Sequence, residues 1–440
     1  MTPVDRFREL LAIPTVSRPD PSETDASAFA LFRAALERLY PLTHAHLERE
    51  IVAGDSLLYR WRGATPDAPL LLLAHQDVVP VDGQPWHHDP FAAEIVGEGA
   101  DATIHARGAI DDKGALVAIF EAVEAALAEG VVPRTDVWLA FGHDEETRGA
   151  GARAMAGVLA ERGVRPALVL DEGGAVVDGA VPGVAAPTAM IGVAERGVAT
   201  FDLVTREAGG HASTPPALPA TARLARAIDR LRRRPFPRRL APPVRAMLAT
   251  AAAHVGEPLA TAFRRSRKTA PVLTSVLSAL GPETNALVRT TAVVTRLEGS
   301  AGENVLATTA RASVNVRLLT GDTLADVAIH LRRAVRDPLV DIELRHGDDP
   351  SPVSPWRGEP WRRLSRAVSA TLGDDVVPLP YLQLGASDSR FYTGLTDAVY
   401  RFAPFHLTRS ERDALHAPDE RIRVDVWLRG IRFYGSLLRS

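Results

Sequence analysis

Three short apolar segments in the first half of this sequence each lead into acids or histidine, and this repeated junction constrains the fold more than any other feature. Leu71-Leu72-Leu73-Ala74 meets His75-Gln76-Asp77, Val137-Trp138-Leu139-Ala140 leads to His143-Asp144-Glu145-Glu146, and Leu168-Val169-Leu170 meets Asp171-Glu172. Apolar runs of this length, separated by helix-length amphipathic stretches, read as buried strands of an α/β sheet. The spacing predicts helices over 22–40, 113–129 and 148–162, with a further strand over 56–61. Sites in such sheets are assembled at the C-terminal ends of strands. The titratable residues at those ends are therefore the first candidates for chemistry.

The pattern changes after the glycine- and proline-rich stretch 178–186. Strands are predicted over 198–205, 287–297, 311–319 and 340–344, with helices over 219–231, 241–254 and 324–335, the last with Thr323 at its cap. This reads as an α+β unit. A linker at 351–355, a helix over 361–372, a loop over 383–390 and a closing helix over 422–438 complete the chain. At roughly 150 residues per domain, a chain of this length holds about three folding units, or two if one is large.

The 440 residues include no cysteine, which excludes disulfides, thiol nucleophiles and zinc–thiolate sites. Any metal must be held by histidine and carboxylate. The formal charge of −3 gives no field for nucleic acid or an anionic membrane, and the arginine run within 230–239 reads as a solvated helix face. No stretch approaches the roughly 18 apolar residues of a membrane span, and residues 2–11 read as an amphipathic helix rather than a secretory signal. A cytoplasmic protein is expected.

His75 and Asp77 past a strand would alone suit a polar cap. The design recurs, however, in Asp111-Asp112 before a helix, in Glu145-Glu146, in Asp171-Glu172 and in His416. Crowded carboxylates repel unless a cation offsets them. Two divalent ions need one carboxylate between them and terminal ligands on each. Asp111 could bridge, and the donor set suits zinc, with cobalt or manganese as alternatives. Glu146 can bind metal while Glu145 takes a proton from water and returns it to a leaving amine. Asp77 can accept the second imidazole proton of His75. The structural alternative makes Glu145-Glu146 carboxylates at a helix N-terminus.

The segments 71–80, 86–91, 107–114, 142–146, 170–174, 209–213 and 416–420 together resemble the M20 family of di-zinc peptidases and amidohydrolases. By that resemblance His75, Asp111, Glu146, Glu172 and His416 match metal ligands, with Asp111 bridging and Asp171 the alternative to Glu172. Glu145 matches the general base and Asp77 the residue that orients histidine. The family fold implies a catalytic domain over 1–193 and 351–440 with a mostly parallel sheet, interrupted by a lid over 194–350 through which members dimerise. A histidine matching His211 then stabilises the oxyanion, in dimers from the partner subunit. Asn304, Arg317 and Arg390 look like substrate-binding residues. Arg317 has the solvent face of a sheet as its alternative, and Asp388 could neutralise Arg390. The resemblance is nearest the carboxypeptidase S branch and implies cleavage of short peptides or N-acyl amino acids. A small-substrate deacylase or a dipeptidase is the enzyme alternative. A metal-dependent binding protein is the alternative of another class, which an intact Glu145 argues against.

Overall fold

The structure, a computed structural model, describes residues 1–440. Its first helix, Pro3–Leu11, starts at a capping box in which Thr2 and Asp5 bond each other reciprocally. Its buried face is Phe7, Leu10 and Leu11, and Phe7 stacks on Trp427 with ring centroids 4.3 Å apart. Both ends of the chain thus pack together.

The main sheet has nine strands. Thr65–His75 lies at its centre, parallel to Thr135–Gly142 on one side and to Leu168–Asp171 on the other. Val399–Arg401 continues the parallel order beside Leu168–Asp171. One flank is antiparallel, formed by Ser56–Trp61 and Glu48–Val52. On the other side Thr188–Glu195 meets Val399–Arg401 antiparallel and Val377–Gln383 parallel. The sheet is therefore mixed, and its mutually parallel central strands, from Thr135–Gly142 to Val399–Arg401, bring their C-terminal ends to one edge. Helix Lys113–Ala128 is apolar on nearly every side because the sheet, the first helix and the last helix, Val424–Arg439, enclose it. Trp427 Nε1 donates to the Gly114 carbonyl at 2.9 Å, pinning the C-terminal helix to the start of this one.

A second, antiparallel sheet orders its strands as Thr291–Glu298, Thr309–Leu318, Gly197–Arg206 and Val340–Asp348. Period-two alternation sends Ala310, Ala312, Val314, Val316 and Leu318 to one face. There they form an 18-residue core with helices Ala220–Arg232 and Leu324–Val335. Arg196 alone separates the last main-sheet strand before this unit from the first strand within it. The chain returns beside the same point, where Ser351 N donates to Glu195 O at 3.2 Å.

The expected α+β unit over 194–350 does not share one core. Leu240, Val244, Met247, Leu248, Phe263, Leu273, Leu277 and Val288 belong to the 77-residue core of the main body. They come from the stretch holding helices Pro242–Ala251, Leu259–Arg264 and Ser266–Leu280, the first of which packs on strand Val377–Gln383. Periodicity identifies which helix face is apolar but not which core receives it. The strand expected from residue 287 begins at Thr291, because Pro282 starts a helix, Pro282–Ala286, just before it.

Candidate metal centre

His75 closes the central strand and is buried, with Nδ1 2.9 Å from the Asp77 carbonyl oxygen and 3.3 Å from Asp77 Oδ1. This fixes Nδ1 inward and leaves Nε2 3.0 Å from Asp111 Oδ1. The other Asp111 oxygen, Oδ2, lies 3.0 Å from His416 Nε2, which is also 3.1 Å from Glu146 Oε1. Two groups of metal-type donors result, His75–Asp111–Glu172 and Asp111–Glu146–His416, each with its donor atoms within 4.8 Å of one another. Asp111 is common to both and turns one oxygen to each.

Local structure explains why these side chains converge. Asp171 accepts from Glu172 N at 3.0 Å and Ser389 N at 2.7 Å, so its carboxylate is occupied and Glu172 is the member of the pair that joins a donor group. Gly173 has φ +124°, and a Cβ at Gly174 would lie 1.8 Å from the Met190 carbonyl oxygen, so the turn after Glu172 admits only glycine. Helix Ala150–Glu161 is capped by Asp144, which accepts from Ala150 N at 2.8 Å and Gly151 N at 2.9 Å. The reading of Glu145-Glu146 as capping carboxylates is thereby replaced. His416 has φ +58° and Asp419 φ +60°, a left-handed conformation costly for residues with a Cβ and typical of functional loops.

Burial and crowding set the electrostatics. Burial first, and then neighbouring carboxylates, holds the carboxyl groups of Glu172, Glu145 and Asp112 well above the usual range, and Glu146 above it. Asp111 departs from them: burial opposes its ionisation, but hydrogen bonds from His416 and His75 outweigh burial and depress it. Bonds to Asp111 and Glu146 push the His416 imidazole up to about 10. Glu146 Oε1 is buried and shares the His416 Nε2 with Asp111. Repelling carboxylates and two imidazoles form a donor set that fits divalent ions.

The remaining candidates stand apart from these donors. His211 is exposed on a two-stranded ribbon where it pairs with Val305, and its Nδ1 lies 2.7 Å from Ser213 Oγ. Asn304 adjoins it, its carbonyl accepting from Ala212 N at 3.0 Å. Arg317 lies on the face of the second sheet opposite its helices and is half-buried, with Nε donating to Asn315 Oδ1 at 3.2 Å. Burial first, and then the charge of Arg390, lowers its pKa. Asp388 does not pair with Arg390, since neither of its oxygens has a hydrogen-bond partner.

One structural residue had a sequence signal too weak to assign a role. Glu420, fully buried, accepts from Arg107 Nη1 at 2.7 Å, Gly108 N at 3.0 Å, Ile110 N at 2.8 Å and Asp111 N at 3.1 Å. It shapes the loop that presents Asp111, and it stands four residues after His416, whose imidazole meets the same aspartate. Its only signal was its place in the 416–420 segment.

The description of peptidase family M20/M25/M40 matches residues 71–440, and the chain belongs to this family. It is a metal-dependent hydrolase with the α/β body and separate β-rich subdomain of that family. An N-fatty-acyl-amino acid synthase/hydrolase PM20D1 of Xenopus tropicalis is 32% identical over 443 residues, covering 99% of this chain and 85% of that protein. A probable carboxypeptidase S-like protein of Dictyostelium discoideum is 31% identical, covering 99% of this chain and 84% of its own. Among solved structures, an M20 family metallo-carboxypeptidase from Sulfolobus solfataricus superposes with a TM-score of 0.70 at 17% identity, covering 100% of this chain and 98% of that one. At that identity the likeness speaks for the fold.

Proposed function

We propose that the chain is a two-metal amidohydrolase that releases a free amino acid from N-acyl amino acids or short peptides. The observation that carries this reading is Asp111, whose two oxygens each lie 3.0 Å from a different histidine within two donor groups. In it His75, Asp111, Glu172, Glu146 and His416 hold two ions, zinc by the donor chemistry, with cobalt or manganese as substitutes. Such ions, when bound, polarise the scissile carbonyl and make a water acidic enough to attack it.

The chain's own residues do the rest. Glu145 lies beside the donors but belongs to neither group, and burial among carboxylates raises its proton affinity. It accepts the proton of the attacking water and delivers it to the departing nitrogen. Asp77 keeps the His75 tautomer with Nε2 free. Arg317 and Arg390 are the groups suited to grip the carboxylate of the amino acid, and Asn304 is a further substrate contact. His211, presented by the partner subunit of a lid-mediated homodimer, stabilises the oxyanion. Residues 1–193 and 351–440 form the catalytic domain, and 194–350 the lid, with the helices between 240 and 288 docked on the catalytic core.

Long-chain N-acyl amino acids rank first as substrates, because relatives with that activity in their names, from Xenopus tropicalis and Homo sapiens, align with 99% of this chain. A dipeptidase or small-substrate deacylase is the second reading. No helix is long and apolar enough to cross a membrane; a cytoplasmic location is part of the proposal and is tested by fractionation. The test of function is amino-acid release from a panel of N-acyl amino acids and dipeptides, with and without zinc or cobalt. Release from acyl substrates only when metal is present supports the reading, and failure of every substrate in metal-loaded protein overturns it.

A further inference from the structure

The family match begins at residue 71, yet a segment far upstream of it is built into the metal centre. Beyond the first helix, the buried Lys113 reaches back with Nζ 3.3 Å from the Leu10 carbonyl oxygen and 2.5 Å from that of Ile13. Lys113 stands two residues past Asp111, so the end of the first helix is anchored to the arm that carries the shared carboxylate. The chain then runs alongside the other arm. Val78 N donates to Thr15 O at 3.0 Å, Ser17 N donates to Val78 O at 3.2 Å, and Thr15 Oγ1 donates to Gln76 O at 2.6 Å. The strap ends with Ser17 Oγ donating to Asp77 Oδ2 at 2.6 Å.

Asp77 has no exposed surface, so water cannot replace a lost partner. Its Oδ1 meets Glu145 N at 3.1 Å and His75 Nδ1 at 3.3 Å, while Oδ2 meets Glu146 N at 3.1 Å and the Ser17 hydroxyl. One carboxylate thus sets the direction of His75 and the backbone of both glutamates. Ser17 supplies the shortest of its four contacts, and supplies it from outside the strand end and the Glu145-Glu146 turn that Asp77 joins.

We propose that Ser17 is a positioning residue of the metal centre, its hydroxyl locking Asp77 in the orientation that aims His75 and fixes the Glu145-Glu146 turn. The proposal rests on the two-metal reading. A purely structural Ser17 would hold down the N-terminal segment and leave metal affinity alone. Thr15 provides the comparison, because it is equally buried in the same strap and bonds the Gln76 carbonyl rather than Asp77.

The experiment measures zinc affinity by competition with a chromophoric chelator, and kcat and KM of the zinc-loaded protein, for wild type, Ser17→Ala, Ser17→Thr and Thr15→Val. Loss of an outer hydrogen-bond partner of a metal site typically costs about 10- to 100-fold in affinity or activity, and that is the loss expected for Ser17→Ala, in zinc affinity and in kcat with KM little changed. Ser17→Thr keeps the hydroxyl and is expected to recover most of it, while Thr15→Val binds zinc as wild type does. If threonine does not fit, a double-mutant cycle serves: Ser17→Ala is expected to add nothing in an Asp77→Ala background. Wild-type zinc affinity and kcat in Ser17→Ala, or an equal loss in Thr15→Val, would overturn the proposal. A wild-type chain that binds no zinc would overturn the two-metal reading itself, which separates the two failures.

Discussion

Replacing Glu420 by alanine removes one buried carboxylate and strips a partner from four donors at once: the Arg107 guanidinium and the N–H groups of Gly108, Ile110 and Asp111. At about 1–3 kcal/mol for each buried donor left unsatisfied, independent losses would total about 4–12 kcal/mol. Neighbouring bonds are not independent, however. Arg107 also keeps Gln84 Oε1 at 3.0 Å, the Ala417 carbonyl at 3.1 Å and the Trp86 ring, 5.1 Å from its carbon to the centroid. The expected cost is therefore that of breaking one buried ion pair, about 3–5 kcal/mol. Because three of the donors are backbone groups of the loop ending at Asp111, zinc affinity should fall together with stability. Urea unfolding of the metal-free protein and zinc competition of the folded protein read the two effects separately. Glu420→Ala with wild-type stability, or destabilised but with unchanged zinc affinity, would refute the argument that this carboxylate shapes the Asp111 loop.

The same geometry carries other expectations. Asp111→Asn should reduce bound zinc from two ions per chain to one or none by elemental analysis, because it weakens the oxygen set shared by both donor groups. Asp202 in the second sheet tests electrostatics away from the site: burial favours its neutral form, but bonds from Ser313, Arg311 and Arg345 outweigh burial and hold the carboxyl below its usual range. Its stabilisation is therefore full above about pH 4 and is lost as pH falls through the depressed value. Asp202→Asn should cost about 1–3 kcal/mol at pH 7, and the gap in melting temperature from wild type should close below pH 4. His211→Ala should leave stability within about 0.5 kcal/mol, as exposed substitutions do, and lower kcat about 100-fold or more. Mixing His211→Ala chains with Glu145→Gln chains should restore activity if the imidazole acts across a dimer.

The candidate donors that the fold brings together were legible in sequence because strand periodicity and polar junctions are local. Between Leu71 and Asp77 a buried strand and its polar end stand within seven residues. The parallel centre of the sheet could be read from the same alternation, whereas the antiparallel flank at Glu48–Val52 could not, since its burial pattern is largely exposed and lacks an apolar face. The helices between 240 and 288 were recognisable as helices, but their docking on the main core depends on a partner strand more than a hundred residues away. Ser17 and Glu420 were out of reach for the same reason. A serine hydroxyl and one glutamate among 54 acidic residues acquire meaning only from partners 60 residues or more from them in the chain.

Glu145→Gln separates metal binding from proton transfer, read as zinc content and amino-acid release in the same sample. Glutamine keeps the shape of Glu145 and cannot take a proton, and Glu145 lies outside both donor groups. Two zinc ions per chain are expected, as in wild type, with release slowed about 100-fold or more. Release near the wild-type rate, or a slowed rate accompanied by loss of zinc, would contradict this division of roles.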